Sequence, residues 1–148
     1  MSPEDAEPVR ALVLGALGIT PYVDRSLELV AAAERGDPEV RALVIARDGT
    51  VAALALFGPI SGASGAWHLS LLLTAAGIEA RHVGIPLINA TLGEVRISGG
   101  RFLLAELPAD PVFGSALTLL RKNGFRQEGR IPDFFRDDVA LLFLRRNL

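Results

Sequence analysis

The residues with the clearest chemical potential lie in the run Arg81-His82-Val83-Gly84-Ile85-Pro86-Leu87. A strand-like apolar stretch precedes it, and a helix-like one, Leu87 to Val95, follows. A strand, a tight turn through Gly84 and a helix start would aim backbone N–H groups at one point. The helix dipole adds partial positive charge there, so the point suits a phosphate or pyrophosphate. Arg81 and His82 either add charge around such an anion or are solvated loop residues. Pro86 removes one amide from the set, yet its fixed φ suits the first position of a helix.

The elements around this run can be read from patterning. Ser2-Pro3-Glu4-Asp5 carries a helix-start signature, and Val9, Leu12, Val13, Ala16 and Leu17 follow at helical spacing. Thr20-Pro21 opens a second helix through about Ala33, with Gly36 just beyond it. Val40–Ala46 and Val51–Phe57 are β-rich runs around Asp48-Gly49, a hairpin signal. Trp67–Ala76 is a long strand with two faces. Trp67, Leu69, Leu71, Leu73 and Ala75 share one; His68, Ser70, Leu72, Thr74 and Ala76 share the other, more polar one. The helix opened by Pro86 presents Ile88, Leu92 and Val95 on one side and stops at Gly99-Gly100. Arg101–Leu107 is a strand. Asp110-Pro111 starts a helix with Phe113, Ala116, Leu117 and Leu120 on its apolar stripe, ended by Gly124. Phe125–Ile131 and Val139–Leu144 close the chain. The order ααβββαβαββ predicts a mixed α+β domain of three layers, residues 1–148 as one unit, with an antiparallel meander and one β-α-β crossover.

Composition narrows the function classes. In 148 residues, half are apolar and the mean hydropathy is +0.37, which predicts strands buried on both faces or a surface covered by a second subunit, as in a homodimer. A net charge of −2 gives no global basic field to recruit nucleic acid. No cysteine is present, so disulfides, thiolate metal sites and a Cys nucleophile are excluded, and two separated histidines argue against a metal centre. Thr50 to Ile78 carries no charge, but Pro59, Ser61, Gly62, Ser64 and Gly65 split it into runs too short for a membrane helix. The acidic N-terminal residues give no signal-peptide pattern, which makes the cytoplasm the expected location.

Three motifs in order resemble the GNAT superfamily of acyl-CoA N-acyltransferases. Arg81-x-x-Gly84-x-Pro86 resembles its pyrophosphate loop. Leu119-Leu120-Arg121-Lys122-Asn123-Gly124-Phe125 resembles its late-helix ending, and Asp133-Phe134-Phe135-Arg136-Asp137-Asp138 its last hairpin. The chain departs from the family pattern in four ways. The opening strand is missing or reduced, and Pro86 replaces the second small residue of the loop. The strand before the loop has no carboxylate. Leu120 stands where many members have a tyrosine acting as general acid.

The resemblance implies acetyl-CoA as co-substrate, no metal, and a primary amine of a small molecule, amino acid or peptide as acceptor. It implies a diphosphate held by Arg81 through Leu87, a strand that splays from Arg101–Leu107, and an amide around Leu73–Ala75 on the thioester carbonyl. Ala76, at the splayed end, would touch the cofactor, and Trp67 would lie near its cleft. His68 is either the general base, an imidazole of ordinary pKa about 6.5, or a hydrogen-bonded structural residue; Ser70 or Thr74 would otherwise hold a relaying water. Arg121 meets the nucleotide's 3′-phosphate or complements a helix C-terminus. Leu120 reads as core. Tyr22, the only tyrosine, borders the acceptor pocket, and Asp133, Phe134 and Phe135 shape its entrance or a dimer contact. Two other classes compete with a transferase: a GNAT-like domain that binds acyl-CoA without turnover, and an obligate subunit of an oligomer.

Overall fold

The first helical segment begins as its residue types require. The Ser2 amide and hydroxyl donate to Asp5 Oδ2 at 2.8 and 3.0 Å, while the Asp5 amide donates to the Ser2 carbonyl. That reciprocal cap satisfies donors that a helix start leaves open. In the computed structural model, which describes residues 1–148, a 3₁₀ turn then leads into α1 (Ala6–Leu17) and α2 (Val23–Glu34). Val9, Leu12, Val13 and Leu17 of α1 are buried, as their spacing predicts.

The remaining elements are β1 (Arg41–Arg47), β2 (Thr50–Pro59), β3 (Ala66–Thr74), α3 (Ala80–Ile97), β4 (Phe102–Pro108), α4 (Gly114–Lys122), β5 (Arg126–Arg136) and β6 (Val139–Asn147). No strand precedes α1. The β1–β2 hairpin turns at Asp48 and Gly49 with φ of 50° and 78°, the left-handed pair that the Asp-Gly dipeptide favours. The six strands form one sheet in the order β1-β2-β3-β4-β6-β5, antiparallel except for the β3–β4 pair. The architecture is therefore mixed α+β, with α3 as the crossover between the two parallel strands.

Helix α1 packs on α2 and α3 packs on α4, and both pairs reach β2. Val51 to Gly58 are buried without interruption, so β2 is covered on both faces. The charge-free stretch of the sequence is thus a central strand, a turn at residues 61–65, all of β3 and the turn after it. No helix is long and apolar enough to cross a membrane.

Helix α3 differs from the sequence expectation. It starts at Ala80 with Glu79 as its cap, so Gly84 and Pro86 lie inside the helix rather than in a turn before it. Pro86 is not a first-turn residue; it deletes the amide that would otherwise reach the His82 carbonyl four residues back. Gly84 serves helix packing instead. A Cβ at this position would sit 2.5 Å from Leu119 Cδ1 and 3.3 Å from Leu119 Cδ2, so the missing side chain sets how closely α3 approaches α4.

Gly84→Ala should therefore force Leu119 aside and destabilise the fold by about 1–3 kcal/mol. Thermal unfolding of Gly84→Ala, Leu119→Ala and the double variant checks this. The double variant should lose less than the sum of the two single losses, because the clash partner is gone.

Candidate functional site

Strand β3 is parallel to β4 for only four residue pairs, from Ala66 opposite Phe102 to Leu69 opposite Ala105. Beyond them the strands part, although β3 stays on β2 to Thr74 and β4 stays on β6 to Pro108. The backbone of Ser70–Thr74 therefore has no ladder partner on its β4 side. Such groups need a ligand or water. Leu69, Leu72, Ala105, Leu107, Ala116 and Leu120 are among the residues around the narrow gap, an apolar cavity of about 30 Å³. The splay expected between these strands is thus present.

The break coincides with an irregularity in β3. Leu56 lies opposite Leu71, but Phe57 lies opposite Leu69, which leaves Ser70 as an extra residue. A bulge of this kind bends the strand and increases its twist. It also inverts the alternation of side chains past Ser70. His68, Ser70 and Leu71 line one cleft with α2. Thr74 falls on the opposite face and is not in that cleft, which corrects the grouping of Thr74 with His68 and Ser70.

The same register decides which amides face the gap. The Ala75 amide donates to the Ala52 carbonyl at 2.8 Å, so it is engaged with β2 and unavailable to a thioester. Antiparallel ladders alternate, so the Leu73 amide is directed at Leu54, while those of Leu72 and Thr74 point into the gap. Within the expected span Leu73–Ala75, the Leu73 and Ala75 amides are therefore turned to β2, and the amides facing the gap are those of Leu72 and Thr74. The extra residue at Ser70 leaves no sequence signal that would have shifted the register.

At the start of α3, the amides of Val83, Gly84 and Ile85 lie within the helix, and the free ones belong to its first turn, beginning at Ala80. The His82 amide already donates to the Glu79 carbonyl at 3.0 Å. The Glu79 carboxylate takes Arg81 Nε at 2.7 Å and lies 3.6 Å from His82 Nε2. An acid thus neutralises part of the charge expected around an anion. Val83 and Leu87 are core residues, while Ile85 is partly exposed. Ala76 follows β3 and lines a groove against α1 with Thr74 and Ala75. Arg121, on the last turn of α4, donates to Gln127 Oε1 at 3.1 Å. Leu120 is buried, as its stripe position requires. Trp67 is buried at the paired end of β3, near Gly100 and under the Arg41 guanidinium, and so lies away from the gap.

The cleft beside His68 holds about 390 Å³ and is walled by α2, β3, β4 and the β5–β6 hairpin. His68 Nδ1 is 3.2 Å from Ser70 Oγ. Burial pushes the His68 pKa below its ordinary value; Glu106 and Glu39 oppose the shift and Arg25 adds to it. His68 is therefore neutral at pH 7. Glu106 was missed in the sequence. It stands two residues past Leu104, the partner of His68, and so shares its face across a parallel pair. The available signal was a lone carboxylate within the apolar run Arg101–Leu107.

Tyr22 closes one wall through a three-part contact. Its hydroxyl donates to Asp110 Oδ2 at 2.8 Å and accepts from Arg136 Nη1 at 3.0 Å, while Arg136 Nη2 donates to Asp110 Oδ2 at 2.8 Å. Phe113 and Phe135 pack edge-on against the Tyr22 ring, with centroids 5.2 and 5.6 Å away. Burial and the Asp110 hydrogen bond raise the Tyr22 pKa. The Val112 amide, then Arg136 and Tyr22, hold the Asp110 carboxyl below the ordinary carboxylate range. Phe134 and Phe135 line the same cleft.

Solved structures share this fold. A protein assigned to the GNAT family of acetyltransferases, from Desulfovibrio desulfuricans, superimposes with a TM-score of 0.85 at 24% identity, over 99% of this chain and 94% of the other. A Salmonella typhimurium structure containing acetyl-CoA gives 0.77 at 18% identity, over 100% and 91%. The aminoglycoside 6′-N-acetyltransferase of Enterococcus faecium gives 0.78 at 16%, over 99% and 92%. No family profile matches the sequence, and no curated protein matches it. The chain has the fold of the GNAT N-acyltransferases.

Because the Asp110 pKa is depressed on folding, its contribution to stability is present above the unfolded value of about 3.9 and is lost as pH falls below it. The melting temperature of Asp110→Asn should lie a few degrees below wild type at pH 7, and the difference should shrink below about pH 4. Melting curves across that range provide the check.

Proposed function

We propose that the protein is an N-acetyltransferase that moves the acetyl group of acetyl-CoA to a primary amine by direct attack within a ternary complex. The observation that carries this reading is the parting of β3 and β4 beyond Leu69 and Ala105, which leaves backbone donors facing an apolar gap beside a cleft holding a neutral imidazole. The fold shared with acetyltransferases supports it.

On this reading the thioester carbonyl enters the gap, where the Leu72 and Thr74 amides face the oxygen on which negative charge develops. The acceptor nitrogen forms a bond to the carbonyl carbon, and the carbon–sulfur bond breaks. His68 takes the proton released by the amine, directly or through a water held by Ser70. Leu120 supplies no acid to the departing sulfur. A thiol with pKa of about 8.5 leaves tolerably as thiolate and is then protonated by water. Arg81, His82 and the first-turn amides of α3, from Ala80, lie nearest to the role of holding the diphosphate, with Arg121 as a further cation. Val83, Gly84, Ile85, Pro86 and Leu87 support that turn by packing and helix geometry.

A second reading is an acyl-CoA-binding domain with little turnover. Two features favour it: the Glu79 carboxylate paired with Arg81, and the apolar Leu120 beside the gap. Acetyl-CoA binding followed by calorimetry, with thiol release measured across a panel of primary amines, separates the two. Thiol release that depends on the amine supports the transferase; binding with no release from any amine overturns it in favour of the second reading.

If His68 is the base, kcat/KM should fall on the acid side with a midpoint below about 6.5. His68→Ala should lose that limb and about 10²–10⁴-fold in rate. Glu106→Gln should move the midpoint further down, because it removes a negative charge that favours the imidazolium. A pH–rate profile of the three proteins tests both statements.

A further inference from the structure

The cleft beside His68 has an unusual balance for an amine site. Among its lining residues only Arg25 and Glu106 carry formal charge at neutral pH, one of each sign. Asp110 and Arg136 neutralise one another behind Tyr22. A polycationic acceptor would meet the Arg25 guanidinium as well as the Glu106 carboxylate, and would gain little. A neutral-bodied amine would leave Arg25 unused. The two charges are instead complementary to a molecule that bears both an ammonium and a carboxylate.

The rest of the wall is aromatic. Tyr22 and Phe113 are largely buried, whereas Phe134 and Phe135 are exposed at 53% and 39%, with ring centroids 4.9 Å apart. Exposed phenyl rings gathered at a cleft mouth are costly in water, and they stack favourably, edge-to-face or offset, on another ring. At about 390 Å³ the cleft lies toward the small end of small-molecule sites. A protein or long peptide would have to enter by its end alone.

We infer that the acceptor is a free α-amino acid with an aromatic side chain, its amine beside His68 and Glu106, its carboxylate on Arg25, and its ring against Phe134 and Phe135. This rests on the transferase reading and gives it a substrate class. Both charges lie close enough to the His68 imidazole to affect its proton affinity, in opposite directions. All three side chains line the one cleft, so an amine that gives up its proton to His68 has both an anion and a cation among its surroundings. Arg25 makes one loose contact, to Glu28 Oε2 at 3.4 Å, with both side chains mostly in solvent, so its guanidinium retains donors for a carboxylate.

The test measures thiol release from acetyl-CoA with four acceptors: phenylalanine, phenylethylamine, alanine and the aminoglycoside kanamycin. Phenylethylamine lacks only the carboxylate, and alanine lacks only the ring. The expected kcat/KM for phenylalanine exceeds each of the others by about tenfold or more, a charge-assisted hydrogen bond or a stacked ring being worth at least that when partly desolvated. In Arg25→Ala the ratio of phenylalanine to phenylethylamine should collapse toward one, and Arg25→Lys should restore part of it. In Phe134→Ala/Phe135→Ala the ratio of phenylalanine to alanine should collapse. Calorimetric titration of phenylalanine into the protein saturated with coenzyme A should show the same Arg25 dependence without any turnover. Turnover of phenylethylamine or kanamycin equal to that of phenylalanine would overturn the inference while leaving the transferase intact. Release from no amine, with acetyl-CoA bound, would overturn the transferase and this substrate class together.

Discussion

A strand can satisfy only what its two neighbours allow, and β3 is asked to follow two that diverge. On one side β2 holds it through Thr74 and Ala75; on the other, β4 is held to β6 through Pro108. The extra residue at Ser70 falls next to the last β3–β4 pair, Leu69 with Ala105. A bulge there bends β3 away, so the two halves of the sheet twist apart at the position where ladder pairing stops. Each half remains internally complete. The unsatisfied backbone is thereby concentrated in one seam at the centre of the sheet, where a bound group can use it.

What lines the seam follows from the same register. Past the bulge, Leu71 turns to the His68 side and Leu72 to the other, so the gap itself is apolar while its mouth carries His68, Ser70 and Glu106. A half-buried imidazole in that setting resists protonation, because burial outweighs the pull of the nearby acids. Polar groups at the mouth and an apolar gap behind it fit the proposed acetyl transfer, in which the acetyl methyl tolerates desolvation and the carbonyl requires donors.

Much of this was legible in the residues. The Asp48-Gly49 turn, the capped first helix, the uncharged central strand and the stripes of α3 and α4 all have local causes, and local causes are written in short stretches of sequence. The parallel β3–β4 pair followed from α3 standing between them. What escaped was non-local or one residue wide. The bulge at Ser70 moves the Thr74 side chain across the sheet, away from His68, yet nothing in Ser70 announces it. The start of α3 was placed too late because Gly84 and Pro86 are usual signs of a turn. Here Gly84 is required by the closeness of Leu119 instead. Glu106 is a lone carboxylate whose meeting with His68 depends on the β3–β4 register, and Asp110 and Arg136 stand 26 residues apart in the chain.

The contact joining Tyr22, Asp110 and Arg136 spans 88 residues from Tyr22 to Asp110 and 114 from Tyr22 to Arg136. It ties the entrance of α2 to the loop before α4 and to the β5–β6 hairpin, so one wall of the cleft is contributed by residues far along the chain from α2. During synthesis the cleft lacks part of its lining until the β5–β6 hairpin, through Leu141, has emerged. The cleft is therefore completed only after the elements on its other side, and a chain cut short before that hairpin would lack Phe134, Phe135 and Leu141 from its lining.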